Sequence, residues 1–452
     1  MSSPSSGLHF SDSSWRRIRR VLRLAIPSAG EMLLGMLVGL VNTYLVGHLG
    51  SASLTGVGLG VQWSMAAMVL FSAVGTGATA LTARMIGAED MKGANRVVGQ
   101  SVMIAFACGL FSAICLVAFA EPAMKLMGAT GESLIQGTLY LRIISAAFPI
   151  SAMIFVGGAC MRGAGDTRTP LLVMAAVNVV NITVAWTLVE GLGPFPALGV
   201  EGAAYGSAAG RIVGGLLVFA LLLKGRAGLR LRWRGLDREI IWRILRVGLP
   251  ASLDQLIFRF GMLVWVRIVA SLGTVAYAAH QIALNGESIS FMPGWGFAVA
   301  ATTLVGQGLG ARNHERAEKD AMLAFGISAV FMSVMGVVFF FFAPQIMSLF
   351  TDEPEVIAMG TMPLRLIGLV QPFLAAMMVF AGSLRGAGDT LTPMLVNGAS
   401  VWLLRIPLSL VVTEWFGWGL TGVWVVMALD LTLRGIVLFW QFRGGRWKTV
   451  EV

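Results

Sequence analysis

The chain has 452 residues, of which 56% are hydrophobic and only 12% are charged, and its formal net charge is +10. A soluble domain carries about 25% charged residues, so this chain has too little polar surface to cover a globule in water. The composition excludes a disordered chain and a soluble nucleic-acid binder, and three cysteines without framework or metal spacing exclude a secreted disulfide scaffold.

Twelve apolar runs follow one another along the chain, each about as long as an α-helix that crosses a bilayer. They lie at residues 22–47, 57–83, 97–120, 134–159, 170–190, 199–223, 245–271, 278–306, 321–345, 357–382, 393–413 and 420–441. We therefore predict an all-α, polytopic membrane protein with 12 transmembrane helices. Residues 1–20 are expected to be a disordered cytoplasmic segment, and the run after them is too long for a cleaved signal peptide.

Basic residues are concentrated in every second connector. The N-terminal segment, the even-numbered connectors and the C-terminal tail hold 25 of the 33 Lys and Arg residues, whereas the opposite connectors hold only Lys125. Because positively charged loops stay in the cytoplasm, both termini are predicted to be cytoplasmic, which requires an even number of spans. We expect a multi-pass protein of the cell (inner) membrane.

A repeated motif divides the chain into two halves. Residues 162–170 and 385–393 are identical at eight of nine positions, at an offset of 223, and the same offset pairs Pro27 with Pro250. Six spans per half is an even number, so the halves insert with the same orientation, as in transporters built from parallel repeats around a central cavity. The predicted units are an N-lobe at 21–223, an inter-lobe linker at 224–244, a C-lobe at 245–441 and a cytoplasmic tail at 442–452.

The repeated motif is interpreted mainly as a structural turn, with a direct role in substrate handling as the alternative. Its arginines, Arg162 and Arg385, fall at predicted helix C-termini, where a cation meets the negative end of the helix dipole. The glycines of the motif suit left-handed helix C-caps, and its Asp or Thr can cap the next helix.

Two carboxylates occupy one repeat position inside the membrane, Glu31 in span 1 and Asp254 in span 7. A charge at the bilayer centre costs about 2.5–3.5 kcal/mol on insertion scales, so such residues are candidates for function. A carboxylate that faces a partly desolvated cavity can gain and lose a proton near physiological pH, which a proton-coupled carrier needs. The alternative is that each carboxylate neutralises an arginine. Arg259 lies well round the helix from Asp254, so a partner on another helix is favoured.

Other polar side chains within the spans are candidates for lining the cavity. Asn42 shares a helix face with Glu31, about three turns further along. The alternative is that amides inside the membrane only bond neighbouring helices. The predicted lining residues are Asn42, Asn178, Asn181, Arg259, Gln281, Asn285 and Glu287, and no metal site is predicted.

Several segments of the chain resemble those of multidrug and toxic compound extrusion (MATE) transporters. They are Leu-Val-Asn-Thr-Tyr-Leu-Val-Gly-His-Leu-Gly at 40–50, Ala-Ala-His-Gln-Ile-Ala-Leu-Asn at 278–285, Val-Gly-Gln-Gly-Leu-Gly-Ala at 305–311 and both Arg-Gly-Ala-Gly-Asp-Thr turns. The resemblance runs from about residue 20 to 440. It implies a V-shaped fold of two lobes, and efflux of drugs or metabolites by antiport with protons or sodium.

The chain departs from the family pattern at three positions. Relatives often carry Asp where Asn42 stands, some carry Glu where Phe258 stands, and some carry a second Asn or Asp where Ala185 stands. Phe258 is therefore added to the predicted lining residues. Because an amide cannot exchange a proton, our hypothesis is that Glu31 replaces the missing span-1 Asp. The incomplete ligand set makes sodium the weaker choice of coupling ion.

The leading function is secondary active export of small organic molecules, cationic by family habit. Seven arginines against four deep acids inside the spans keep an alternative open, a flippase or exporter of a lipid-linked or anionic substrate. The sequence has no nucleophile elbow, metal-ligand cluster or phosphate loop, so we do not expect an enzyme. The expected partners are a small-molecule substrate and the lipid bilayer, without nucleic acid. The expected state is a monomer without a cofactor other than the coupling ion.

Overall fold

The computed structural model describes residues 12–192, 194–231 and 235–450, and every regular element in these ranges is helical. The first half contains α1 (Asp12–Gly47), α2 (Ser51–Gly87), α3 (Met91–Ala118), α4 (Ala120–Leu126), α5 (Gly131–Ala146), α6 (Phe148–Gly163), α7 (Arg168–Glu190) and α8 (Val200–Lys224). The second half contains α9 (Arg238–Ala270), α10 (Thr274–Gly310), α11 (His314–Ser348), α12 (Pro354–Ala387), α13 (Leu391–Ala399), α14 (Ile406–Glu414) and α15 (Gly419–Arg443). Short 3₁₀ turns follow α8 and α15, and a π-helical turn, Ser400–Arg405, joins α13 to α14.

The predicted spans correspond to these helices. Among the described residues, ten helices are long and apolar enough to cross a membrane, counting α13–α14 as one, and the bent pair α5–α6 makes an eleventh. The remaining predicted span corresponds to α9, which has 33 residues and is not among those ten. Five charged residues lie between positions 243 and 267 of this helix, which lowers its hydropathy.

Both ends of the first lobe differ from the sequence prediction. The predicted disordered segment 1–20 is wrong from residue 12 onward, because α1 begins at Asp12 and its residues Val21 and Leu24 are buried against other helices. Residues 1–11 lie outside the described part of the chain. The predicted linker 224–244 is shorter than expected, because α9 begins at Arg238, where the Asp237 side chain accepts a hydrogen bond from the Ile240 backbone amide.

The C-terminal tail is also more ordered than a free tail. Trp447 is fully buried, and its ring stacks on Phe442 of α15 with ring centroids 4.7 Å apart. The 3₁₀ turn Arg446–Thr449 is thereby docked on the second half of the molecule.

Two predicted spans are interrupted. The fourth is broken into α5 and α6, which meet at an angle of 56° next to Pro149. The eleventh carries the π-helical turn Ser400–Arg405, in which one extra residue is accommodated within the helix. α7, its counterpart in the first half, has no such turn.

The first helix of each half packs on the other half. The beginning of α1 is buried against α10, α11 and α12, while the beginning of α9 is buried against the first half. A β-carbon added at Gly248 of α9 would overlap the carbonyl oxygen of Ala73 in α2, and one at Gly310 of α10 would overlap that of Arg84 in α2. Backbones therefore touch directly where α2 meets α9 and α10. We call this end of the molecule, which also holds both repeated turns, the closed end.

At the opposite end the two halves separate. Residues 71–83 of α2 are almost all buried, whereas residues 51–70 of the same helix alternate between buried and exposed. The mirrored helix α10 shows the same change, with a mostly buried segment at 296–309 and a half-exposed one at 274–290. We call this second end the open end. The molecule is thus a V of two helical lobes that is closed at the end bearing the basic connectors.

Candidate functional site

The two predicted carboxylates each form an ion pair with an arginine of the repeated motif. Arg162 Nη1 lies 2.7 Å from Glu31 Oε1, and Arg385 Nη2 lies 2.7 Å from Asp254 Oδ2. All four side chains are mostly buried. Because the carboxylates and the arginines obey the same offset of 223, the two lobes contain the same pair at the same place. We call them the mirrored ion pairs.

The ion pairs show which arginine neutralises Asp254. The partner is Arg385 on α12, on another helix as the sequence favoured, whereas Arg259 on α9 itself is exposed. Arg162 and Arg385 do lie in the last turns of α6 and α12. Their proximity to helix C-termini is therefore confirmed, and the ion pair is a second role that the motif alone did not indicate. A coupling role for the two carboxylates stays a prediction.

The repeated turn also ties neighbouring helices together in both lobes. Asp166 and Asp389 accept hydrogen bonds from the backbone amides three residues later, at the starts of α7 and α13, with N···O distances of 3.0 Å in each case. Thr167 Oγ1 donates to the Arg23 carbonyl oxygen of α1 at 3.2 Å, and Thr390 Oγ1 donates to the carbonyl oxygen of Val247 in α9 at 2.8 Å. Each turn thus holds the first helix of its own lobe.

The turn of the N-lobe makes a further contact with the C-lobe at the closed end. Thr303 Oγ1 of α10 donates to the carbonyl oxygen of Arg162 at 2.9 Å, and Gln307 Nε2 donates to that of Gly163 at 3.1 Å. The Glu31–Arg162 pair therefore adjoins the contact that keeps the two lobes together.

A cavity of about 340 Å³ lies within the C-lobe. Its polar wall consists of Asp254, Gln255, Glu287, Ser288, Arg385, Asn397, Arg405 and Arg434, and its apolar wall includes Phe258, Met262, Phe291, Trp295, Met377, Met378 and Met427. Of the predicted lining residues, Phe258 and Glu287 are brought together here beside Asp254. Arg259, Gln281 and Asn285 are outside this wall, on exposed faces of α9 and of the open half of α10.

A buried ionic cluster adjoins the cavity; its acid and its two arginines are among the four acids and seven arginines that the sequence places inside the spans, but their pairing was not predicted. Asp430 accepts a hydrogen bond from Arg405 Nε at 2.8 Å and from Arg434 Nη2 at 2.5 Å, and the Ser400 hydroxyl also donates to it. All three charged side chains are at most 3% exposed. The π-helical turn brings Ser400 and Arg405 to the same carboxylate. We call this group the arginine cluster.

Asn397 connects the arginine cluster to the Asp254 pair. Its Nδ2 donates to Asp254 Oδ1 at 3.1 Å, and its Oδ1 accepts from Arg434 Nη1 at 3.5 Å. The signal that could have identified this network was present in the sequence, since Asp430 and Arg434 stand four residues apart inside a predicted span.

Glu287 differs from the other buried carboxylates. Its side chain lines the cavity and is buried, but it has no ion pair or side-chain hydrogen bond with any residue that the structure describes. The other two carboxylates of the cavity region, Asp254 and Asp430, each have an arginine within 2.7 Å.

In the N-lobe, the predicted amides bond neighbouring helices. Asn42 of α1 and Asn181 of α7 both donate to the Ser207 hydroxyl of α8, at 2.9 and 3.2 Å, and Asn178 donates to the Leu34 carbonyl oxygen of α1 at 3.0 Å. Their side-chain oxygens are buried and accept no hydrogen bond from the described residues. Their amide nitrogens therefore bond neighbouring helices, as the alternative interpretation expected. A cavity-lining role for these residues stays a prediction.

The family model called MatE matches this chain twice, at residues 27–187 and 250–411. The chain belongs to the MATE family. The two matches begin 223 residues apart and end 224 apart, which agrees with one extra residue in the π-helical turn. This MATE transporter is therefore a multi-pass membrane protein of two homologous lobes, and the predicted family and fold class are confirmed.

Relatives of this MATE transporter match it over nearly its whole length. The probable multidrug resistance protein NorM of Thermotoga maritima is 33% identical over 440 residues, which are 95% of this chain and 93% of that protein. The multidrug resistance protein PmpM of Pseudomonas aeruginosa is 27% identical over 93% of this chain and 90% of its own length. The FAD transporter of Shewanella oneidensis is 24% identical over 93% of both.

Solved structures of the family superpose closely on this chain. A multidrug resistance MATE transporter in its outward-facing conformation gives a TM-score of 0.88 at 26% identity, covering 96% of this chain and 97% of the other. A transporter of the same superfamily from Pyrococcus furiosus, described as having a binding pocket of reverse polarity, gives the same values.

Proposed function

We propose that the protein is a proton-coupled antiporter that exports small organic molecules, cations first among them, from the cytoplasm. The observation that carries the proposal is the presence of a carboxylate–arginine pair at the same position of both lobes, 2.7 Å apart in each. A carboxylate in such a pair can exist with or without a proton, and only the ionised form holds the arginine electrostatically. Both lobes therefore contain a contact that a proton can switch.

The position of the N-lobe pair connects a proton to the conformation of the molecule. Protonation of Glu31 removes the counter-charge of Arg162, whose own carbonyl oxygen accepts a hydrogen bond from Thr303 across the closed end. Loss of the ion pair frees the turn that carries this contact. Proton entry from the open end would thus weaken the closed end, as alternating access requires.

The C-lobe cavity is the proposed substrate chamber. With every group ionised, the two carboxylates of its wall and the adjoining Asp430 balance the three arginines of the wall, because Glu287 offsets the second arginine of the arginine cluster. Glu287 is the negative charge without a direct partner among the described residues, so a cationic substrate has a counter-charge there. Aromatic rings and methionines supply an adaptable apolar wall, which suits substrates of varied shape. The volume accommodates a small molecule or one end of a larger one.

The second candidate is the export of an anionic or lipid-linked substrate. Arg405 and Arg434 share the single carboxylate of Asp430, which leaves one positive charge of the cluster without its own partner. An anionic group could pair with it if Glu287 were protonated. One relative is named an FAD transporter, and FAD is an anion, which is consistent with this candidate.

Transport by the purified protein in proteoliposomes tests the proposal. A proton gradient and a sodium gradient are imposed separately across a panel of cationic dyes and organic anions. We expect dye transport with the proton gradient alone, and at least a tenfold loss in the variants Glu31→Gln and Asp254→Asn. The control is Glu190→Gln, which removes an exposed carboxylate at the end of α7. Full proton-driven transport by both variants would contradict the coupling role.

A second variant separates coupling from folding. Glu31→Gln leaves Arg162 mostly buried without a counter-charge, which costs about 3–5 kcal/mol of stability in such pairs. The double variant Glu31→Gln/Arg162→Gln removes both charges and should recover most of that stability. We expect it to bind dye and to exchange it passively, but not to concentrate it with a proton gradient.

A further inference from the structure

A groove of about 960 Å³ runs along the first part of α1 and reaches the start of α7 at the closed end. We propose that this groove is a binding site for one anionic phospholipid. Its polar side consists of Arg16 and of Arg19, Arg23 and Arg168, the last three of which we call the groove arginines, and Ile18, Leu22 and Ile26 form its apolar side. The proposal requires only that the chain lies in a membrane, and it does not depend on the antiport mechanism.

The three arginines provide the charge that a lipid phosphate needs. Each is exposed, and none has a carboxylate within 4 Å among the residues that the structure describes. Three guanidinium groups without counter-charge repel each other, and a phosphate between them relieves that repulsion. Arginine also donates two parallel hydrogen bonds to a phosphate, so it recognises the group by shape as well as by charge.

The apolar side of the groove fits an acyl chain. Ile18, Leu22 and Ile26 are spaced by four residues, so they form one stripe along α1, and Ile26 is 63% exposed. The stripe follows the axis of a membrane-spanning helix, which is also the direction of the lipid tails. It begins beside Trp15, which is 62% exposed, as is typical of tryptophans at the lipid headgroup level.

Comparison of the two lobes shows that this charge is not a general property of basic connectors. The repeat offset of 223 places Trp242, Arg246 and Leu391 of the C-lobe at the positions of the three arginines. The mirrored surface therefore retains one of three positive charges. The groove is a specialisation of the N-lobe, which a rule about cytoplasmic charge alone does not explain.

The groove adjoins the contacts that close the molecule. Arg20, the neighbour of Arg19 on α1, donates a hydrogen bond to Gln307 of α10 at 3.3 Å, and the Arg23 carbonyl oxygen accepts one from Thr167 at 3.2 Å. A lipid held in the groove would fix this part of α1 against both lobes. We therefore expect an anionic lipid to stabilise the closed end as well as to bind.

The test compares lipid binding by two variants of equal charge. The variant Arg19→Gln/Arg23→Gln/Arg168→Gln removes the groove arginines, and Arg238→Gln/Arg246→Gln/Arg446→Gln removes three exposed arginines elsewhere. Native mass spectrometry of the full chain, titrated with phosphatidylglycerol or phosphatidylcholine, measures retained lipid. We expect the groove variant to bind phosphatidylglycerol at least tenfold more weakly than wild type. The control variant should stay within twofold, and phosphatidylcholine should bind weakly to all three.

Two further arms identify the ligand. Ile26→Ser should weaken phosphatidylglycerol binding about threefold, because it removes an exposed part of the apolar stripe without altering charge. Inorganic phosphate at millimolar concentration should not displace the lipid. Equal lipid retention by the two triple variants would overturn the proposal. So would complete displacement by inorganic phosphate, which would assign the groove to a soluble anion.

Discussion

Glu287 is the residue whose surroundings say most about substrate charge. It is buried in the C-lobe cavity beside Phe291 and Trp295, and the neighbouring carboxylates are already paired with arginines. A buried carboxylate without a partner is costly, and a bound proton or a bound cation each removes that cost. Since the two cannot occupy the same carboxylate together, they compete, and competition is the basis of exchange.

The variant Glu287→Gln tests this competition. We expect the KM for a cationic dye to rise about tenfold, because the amide keeps the shape of the side chain and removes its charge. The pH dependence of dye binding should also become flatter, because a proton can no longer displace the dye at this position. The measurement is dye binding and transport between pH 5.5 and 8.5, with Ser288→Ala, another lining residue, as the control.

An organic anion gives the opposite expectation in the same variant. If the cavity takes an anionic group at the arginine cluster, Glu287→Gln should tighten anion binding and leave dye binding weak in both proteins. Unchanged affinity for every cation tested would show that Glu287 is not the cation site.

The sequence predicts the carboxylates of the site better than their partners. The offset of 223 brings Glu31 and Asp254 together as equivalents, and the same offset relates Arg162 to Arg385, so the mirrored ion pairs were within reach of sequence reasoning. The pairing of Arg405 with Asp430 was not, because the π-helical turn changes the offset to 224, at which the counterpart of Arg405 is Asn181. At that offset, a neutral amide of the first lobe corresponds to a charged arginine of the second.

At the level of helices, the closed end depends on glycines that let backbones touch. Gly248 of α9 faces the carbonyl oxygen of Ala73, and Gly310 of α10 faces that of Arg84, both on α2. Small residues allow such approach where membrane helices associate by packing and hydrogen bonding. These contacts join residues far apart in sequence, so the motif pattern did not reveal them, although each follows from the fold.

The variants Gly248→Ala and Gly310→Ala should open the closed end. An added methyl group would overlap a backbone oxygen that cannot move alone, and overpacking of this kind costs roughly 1–3 kcal/mol. We expect the population with an accessible closed end to rise about tenfold, measured by labelling of a cysteine placed at Thr303 with a membrane-impermeant thiol reagent.

Gly58 provides the matched control for these two variants. It lies in the open half of α2, where a β-carbon would have no neighbour within 4 Å. Gly58→Ala should leave both labelling and transport unchanged. Equal labelling in all three variants would mean that the glycine contacts do not hold the molecule shut.

For the whole molecule, the two lobes are joined by reciprocal packing, with α1 on the C-lobe and α9 on the N-lobe. Further hydrogen bonds cross between the lobes near the middle of the molecule. Ser252 donates to the carbonyl oxygen of Val69 at 3.3 Å, and Gln255 donates to the Ser72 hydroxyl. A rocking motion that opens the closed end must break these contacts and preserve those within each lobe.

Cross-linking across the lobes should therefore stop transport, whereas cross-linking within a lobe should not. The three native cysteines, Cys108, Cys115 and Cys160, are first replaced by alanine. Cysteines at Ser72 and Gln255 are then joined by a short, cleavable thiol reagent. We expect at least a tenfold loss of dye transport, because α2 and α9 can no longer separate, and recovery when the reagent is cleaved.

The control pair consists of cysteines at Asn95 of α3 and at Arg230, which follows α8. These two residues are in contact and do not bridge the two lobes. Because both pairs carry the same reagent, a general effect of modification would lower transport in both. Undiminished transport in the fully cross-linked Ser72–Gln255 protein would show that these two helices stay together throughout the cycle, and alternating access would then require motion inside each lobe.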